Sequence, residues 1–191
     1  MSAVNSTVGF TRMEDGTEHD YQLLHQYEKR YSEFTAQRVV DHMQALNNSF
    51  AGYRVTRLEH AVQSATRAWK DGAGTEMTVA ALLHDIGDVL APDNHSELAA
   101  SIIQPFVSEK TFWIVKHHGI FQGYYFFHHI GLDRNLRERY KDHQHYQDCA
   151  DFCANWDQVS FDPDYPSKSL EFFEPMVEEI FAREPFGEHT R

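Results

Sequence analysis

Leu23, Leu24, Tyr27 and Tyr31 recur at three- and four-residue spacing, and Val39, Val40, Met43 and Leu46 continue the rhythm. That period predicts helix over about 20–46. The stretch "NNSFAGY" (47–53) is turn chemistry. Leu58, Val62, Ala65 and Trp69 then form one stripe over 56–70, closed by "DGAG" (71–74). Residues 76–84 are apolar nearly all round, which predicts a central helix. "GDVLAPDNH" (87–95) reads as loop, and 96–107 and 109–118 read as two further helices, with Gly119 and Gly123 breaking the pattern. After "YYFFHH" (124–129) a charged helix is expected over 133–142 and another over 145–157, ended by the proline-rich "DPDYP". A last helix is expected over 169–183. Residues 1–17 are polar with little periodicity. The expected architecture is an all-α helical bundle, one domain over 1–191 with 1–20 as an N-terminal arm.

Composition narrows the function. Apolar residues make up 41% of 191, and no run approaches the length of a membrane span. The N-terminal stretch has no charged-then-apolar signal pattern, so a soluble, cytoplasmic protein with no membrane partner is expected. A net charge of -12 argues against nucleic acid, whose phosphates attract basic surfaces. Two cysteines, Cys149 and Cys153, make no disulfide framework. They share a helical face with Asp157 in steps of four and read as small packing residues. Thirteen histidines stand out in a chain of this size. Surface residues such as those of "HQH" (143–145) account for some, and a polynuclear metal site would account for others.

The residues able to bind a cation have a common setting. His60 lies in "RLEHAVQ", His84 and Asp85 in "ALLHDIGD", His95 in "DNHSELAA", His117 and His118 in "IVKHHG", and Asp157 in "NWDQ". Each is at or near an expected helix end, and most follow apolar sequence. Separate helices of a bundle can therefore point them into one interior site. Neighbouring side chains on a helix diverge by about 100°. The His84–Asp85 doublet can then serve one metal with its imidazole while its carboxylate reaches between two. Imidazoles and carboxylates together suit a pair of first-row transition ions, whereas Mg²⁺ or Ca²⁺ would want more oxygen. Each of these histidines alone is more often a hydrogen-bonded core or surface residue; the set changes that balance.

The order H…HD…H…H…D on successive helices resembles the HD-domain superfamily. It looks most like the mixed-valent di-iron oxygenases, which include myo-inositol oxygenase and the enzymes that cleave carbon–phosphorus bonds of hydroxyalkylphosphonates. The resemblance spans about 55–160 and implies His60, His84, Asp85, His95, His118 and Asp157 as ligands of two iron ions, Fe(II)/Fe(III), with Asp85 bridging and no catalytic residue beyond the ligands. His118 fits better than His117 because it precedes Gly119 and gives a 23-residue interval after His95. "FTRMEDGT", "ALLHDIGD", "HHGIFQGYY" and "NWDQVSFDPDYP" are similar to the branch acting on (1-hydroxy-2-(trimethylamino)ethyl)phosphonate. That implies this phosphonate and O₂ as partners, and glycine betaine and phosphate as products.

Departures from the family shape the substrate expectations. Glycine-forming relatives carry a tyrosine and a glutamate shortly before the first ligand, where this chain has Phe50 and Tyr53. They also place a histidine, a lysine and an arginine near the phosphonate, where this chain has Asp88, Gln122 and Ala154. The expected substrate contacts are Asp88, facing a cationic group unless it merely caps a turn, Gln122, Tyr124 within the aromatic run 121–129, and Glu18 and Tyr21 as lid residues. Aromatic faces with a nearby carboxylate suit quaternary ammonium groups. Arg54, Arg57, Lys116 and Arg134 are unranked candidates for the phosphonate. The enzyme alternative is a metal-dependent HD phosphohydrolase acting on a small phosphate ester or nucleotide; such enzymes often carry a lysine where Asp88 stands. A binding module with a vestigial fold is the non-enzyme alternative.

Overall fold

The computed structural model describes residues 6–48 and 51–190. Among them are eight α-helices and no strand: α1 (Glu18–Ser32), α2 (Thr35–Met43), α3 (Arg57–Lys70), α4 (Gly74–Leu83), α5 (His95–Ile103), α6 (Glu109–Phe126), α7 (Tyr146–Phe152) and α8 (Leu170–Phe181). This is an all-α bundle. Helices α3 and α4 pack side by side, α5 lies on α6, α6 on α7, and α8 covers α4 and α2. As its all-round hydrophobicity requires, α4 is central, with every residue from Thr78 to Leu83 buried. Helix α3 starts at a capping box in which Thr56 and Glu59 satisfy each other's backbone amides. Its start is therefore written locally, three residues before His60.

Three expectations are corrected. The helix over 20–46 divides at Glu33–Phe34. Side chains from α2 take the last carbonyls of α1, Arg38 reaching Tyr31 O at 2.8 Å and Thr35 reaching Ser32 O at 2.7 Å. Helix α2 buries Val39, Val40 and Met43, whereas α1 buries nothing. The charged helix expected over 133–142 is only a 3₁₀ turn, Leu136–Tyr140, which buries no residue. Without an apolar face to pack, charge pairs alone do not sustain a helix.

The third correction concerns α6, which does not break at Gly119 or Gly123 but continues to Phe126. Both glycines serve close approach. A Cβ on Gly119 would lie 2.8 Å from Ser96 Oγ on α5, and one on Gly123 would lie 2.3 Å from the Phe127 ring. Each glycine costs a helix about 1 kcal/mol relative to alanine. The packing of α5 and of the Phe127 ring against α6 outweighs that cost.

Candidate metal centre

Five segments converge on one point. His60 projects from the first turns of α3, and His84 and Asp85 from the end of α4. His95 opens α5, His118 lies midway along α6, and Asp157 ends a π-helical turn, Cys153–Asp157, that continues α7. That turn contains the Gln158 N–H donating to Cys153 O at 3.0 Å. A π-turn shifts the residues after it around the helix axis, and such turns concentrate at functional sites. The register of α7 against α6 repeats every four residues. Cys149 Sγ donates to Ile114 O at 3.6 Å, Cys153 Sγ to His118 O at 3.5 Å, and Gln122 Nε2 to Asp157 Oδ1 at 3.0 Å. The cysteines thus pack beneath the site.

Asp85 divides the centre in two. Its Oδ2 lies 3.5 Å from His60 Nε2 and 3.4 Å from His84 Nε2. Its Oδ1 lies 3.2 Å from His118 Nε2 and 3.4 Å from His95 Nε2. Asp157 Oδ1 joins the first half, 3.3 Å from His60 Nε2 and 3.7 Å from His84 Nε2. His60, His84, Asp157 and His118 are buried, while the His95 side chain is 26% exposed. The first half is therefore closed and the second faces outward. His117, one residue from His118, points away and stacks on Trp113 at 4.3 Å between ring centres.

The donor atoms fit a pair of cations. All four Nδ1 atoms lie against backbone carbonyls: His60 on Ser160 O at 2.9 Å, His84 on Ala81 O at 2.8 Å, His118 on Val115 O at 2.7 Å, and His95 on Pro92 O at 3.3 Å. A carbonyl only accepts, so Nδ1 carries a proton and each Nε2 is the inward-facing atom, able to take a metal ion or a second proton. His60 Nε2 and His84 Nε2 face each other at 3.1 Å. Two bare lone pairs that close repel, so a proton or a metal cation must lie between them. Asp157 Oδ2 is buried with no hydrogen-bond partner among the described residues, and a buried carboxylate oxygen without one is costly. Three overlapping groups have ligand atoms within 4.8 Å of one another: His60, His84 and Asp157; His84, Asp85 and His118; and Asp85, Asp88 and His95.

Electrostatics point the same way. Burial opposes a charge on His84, but the Asp85 and Asp157 carboxylates outweigh it and raise the imidazole to about 9. Burial also disfavours the Asp85 carboxylate, yet His84, His118 and His60 hold it well below the usual carboxylate range. Asp157 is likewise held low by hydrogen bonds from His60 and His84, against its burial. The centre is built to hold positive charge.

Beside the outward half lies a cavity of about 270 Å³. Tyr53, Tyr125, Phe126 and Phe161 supply its aromatic lining, and Arg57, Gln122 and Gln158 its polar lining, next to Asp85, His95, His118 and Asp157. Phe161 stacks on the His60 ring at 4.3 Å and on Tyr53 at 4.8 Å. Arg57 Nε lies 2.8 Å from Asp88 Oδ2, and its NH1 3.4 Å from Asp85 Oδ2.

The expected substrate residues separate. Gln122 lines the cavity. Asp88 stands behind the wall, buried, with its Oδ1 3.3 Å from His95 Nδ1 and its Oδ2 on Arg57. Burial and the nearby Asp85 charge raise its pKa, while Arg57 and His95 pull the other way. Tyr124 lies under the Arg134 and Arg137 guanidiniums at 4.1 and 3.7 Å and does not line the cavity. Glu18 and Tyr21 stay on the arm, where Tyr21 packs on Phe10 and donates to Met13 O. Phe50 lies outside the described residues. Arg57 is one of four cations the sequence offers without distinction, and Phe161 is outside the expected set. Both carried a signal: Arg57 is one helical turn before His60, and Phe161 follows Asp157 by four residues.

An all-α bundle that gathers histidines and aspartates from five segments around a shared carboxylate is a metal-centre architecture. A protein-family model described as HD domain matches residues 55–151, just over half of the chain. The chain belongs to the HD domain family. Members of that family are generally metal-dependent enzymes, and buried His/Asp groups of this kind can hold divalent metal. No curated protein matches the chain.

Proposed function

We propose that the chain is a di-iron dioxygenase that cleaves the C–P bond of (1-hydroxy-2-(trimethylamino)ethyl)phosphonate with O₂, giving glycine betaine and phosphate. The observation that carries this reading is the division of Asp85 between two histidine pairs, one half closed and the other opening on an aromatic cavity. His60, His84 and Asp157 would hold one iron, His95 and His118 the other, and Asp85 would bridge them. Mixed-valent iron held there would supply O₂ binding and one-electron oxidation.

The residues around the pair account for binding and orientation. Beside Asp85, His95 and His118 the site opens on the cavity, so a metal held there would be within reach of the substrate's hydroxyl and a phosphonate oxygen. Arg57 lines the cavity and is the candidate for a further phosphonate oxygen. Tyr125 and Phe126 are the aromatic candidates for the trimethylammonium group, which has no N–H to donate, since Phe161 and Tyr53 are already stacked on each other and Phe161 on His60. Gln122 turns its amide N–H₂ to Asp157, and its Oε1 is buried without a partner among the described residues. That atom can only accept, so it suits the substrate's hydroxyl better than an anionic oxygen. The reaction balances without another reductant. The carbon bearing the hydroxyl loses its C–H and C–P bonds and becomes the carboxylate. Phosphorus leaves as phosphate, and the substrate supplies all four electrons that reduce O₂.

The test is O₂ uptake by iron-loaded protein with this phosphonate. Betaine and phosphate should form one to one with the O₂ consumed, with two irons per chain and a mixed-valent paramagnetic signal. Phosphate-ester hydrolysis without O₂, supported by a redox-inert divalent metal, would instead establish the phosphohydrolase alternative.

A further inference from the structure

Helix α1 is strongly encoded yet buries nothing. Thr17 and Asp20 form a capping box, acidic residues fill its first turn, and Lys29 and Arg30 its last. On a helical wheel Leu23, Leu24, Tyr27 and Tyr31 share a face roughly 100° wide, and Phe34, just past the helix, extends it. In an ordinary globular helix such a stripe faces a core. Here Leu23 and Leu24 are half-buried, while Tyr31 is 66% and Phe34 58% exposed. Among the described residues, the extended segment before α1 touches it through Tyr27 Oη donating to Ser6 O at 3.1 Å and Phe10 against Tyr21. A 15-residue helix without a packed face is marginal in water.

A matching surface lies at the cavity mouth. Tyr53 is 53% and Phe126 44% exposed in the cavity lining, and Ile130 (62%) and Leu132 (51%) are exposed on the segment that leaves the end of α6. The charges are complementary. The arm, 6–33, carries six carboxylates against three Lys and Arg, whereas 126–141 carries four Lys and Arg against two carboxylates. At a net charge of -12, two copies repel over most of their surface, so patches of opposite sign decide where they meet.

We propose that α1 of one copy docks on Phe126 and the 130–141 segment of a second copy, beside the cavity, and that the exchange is reciprocal. A two-fold dimer results. Each arm covers the Phe126 edge of the other copy's aromatic mouth.

Light scattering on the purified full chain tests this. The wild type should have about twice the 22.2 kDa chain mass. Tyr27→Glu/Tyr31→Glu on the arm and Ile130→Glu/Leu132→Glu on the rim should each give the monomer mass, with helical circular dichroism and bound metal retained. If either glutamate pair loses helix content, the serine pairs at the same positions read the same shift. A monomeric wild type would overturn the proposal, including the case in which an arm folds onto its own rim. Loss of the dimer in the arm variant alone would show α1 pairing elsewhere and overturn it equally. So would a dimer that survives both variants, or one lost in the rim variant alone.

Discussion

Asp88 shows how one side chain's meaning depends on its neighbours. In sequence it closes "ALLHDIGD" as an anion that could face a cationic substrate or cap a turn. In the structure its two oxygens are taken by Arg57 Nε and His95 Nδ1. A carboxylate on the far nitrogen of a candidate ligand orients the ring and raises its basicity. We predict that Asp88→Asn lowers kcat/KM by similar factors, roughly 10-fold or more, for cationic and neutral 1-hydroxyphosphonates, and weakens metal binding about 10- to 100-fold. A loss confined to the cationic substrate, with metal affinity unchanged, would place Asp88 on the substrate instead. The His117–His118 pair makes the complementary case. His118→Ala should lose metal, whereas His117→Ala, which removes only a ring stacked on Trp113, should keep it. Metal analysis of the two purified variants decides, and retention in His118→Ala would remove that residue from the centre.

Elements set where those residues can be. Gly87 follows the His84–Asp85 doublet, and a Cβ there would lie 2.6 Å from His95 O and 2.9 Å from His95 Cα. Backbone, unlike a side-chain tip, cannot turn aside. Gly87→Ala should therefore push the start of α5 outward, lower the melting temperature and reduce metal occupancy, chiefly at the outward half; unchanged occupancy would show that α5 can give way. At the opposite end of α4, Glu76 ties three helices together. It accepts from Ser108 N at 3.0 Å, Ser108 Oγ at 2.6 Å and Thr111 Oγ1 at 2.7 Å at the start of α6, and pairs with Arg183 beyond α8. Burial opposes its charge, but Ser108, Arg183 and Thr111 win and lower its pKa from 4.5 to about 2. A carboxylate depressed on folding contributes stability above its unfolded pKa and loses it as pH falls through the folded one. Glu76→Gln should cost about 1–3 kcal/mol near neutrality, and the gap from wild type should shrink between pH 4.5 and about 2. Denaturant titrations across that range measure it; a gap independent of pH would assign the effect to packing.

For the whole molecule, metal should act as a cross-link. The candidate ligands come from α3, the end of α4, α5, α6 and the π-turn after α7, so bound metal joins nearly every layer of the bundle. A ligand held only by the folded state stabilises it by about 4 kcal/mol at a thousand times its Kd. For a chain of this length that corresponds to a rise in Tm on the order of 10 °C. Stripping metal with a chelator should lower Tm by that order and re-addition should restore it, as scanning calorimetry would read. A Tm indifferent to chelation would mean that the histidines satisfy one another without a cation.

The all-α class, the central place of α4 and the cluster of histidines and aspartates were legible in the sequence. Helical period, capping and apolar flanks are local properties, and His60, His84, Asp85, His95, His118 and Asp157 each sit where such a local pattern ends or turns inward. What depended on contacts between distant segments was not legible. Gly119 and Gly123 read as breakers because a sequence does not show Ser96 or the Phe127 ring pressing on α6. The charged run 133–142 read as helix because its lack of a buried face is a tertiary fact. Asp88 read as facing a cationic group or capping a turn because a sequence does not show Arg57, 31 residues earlier, and His95, seven residues later, closing on its two oxygens. The sequence by itself determined which residues could hold a cation and on which helices they lie. Only the tertiary structure decided that Asp85 faces two histidine pairs and that the second pair opens on an aromatic cavity, because both follow from how α3 to α7 cross.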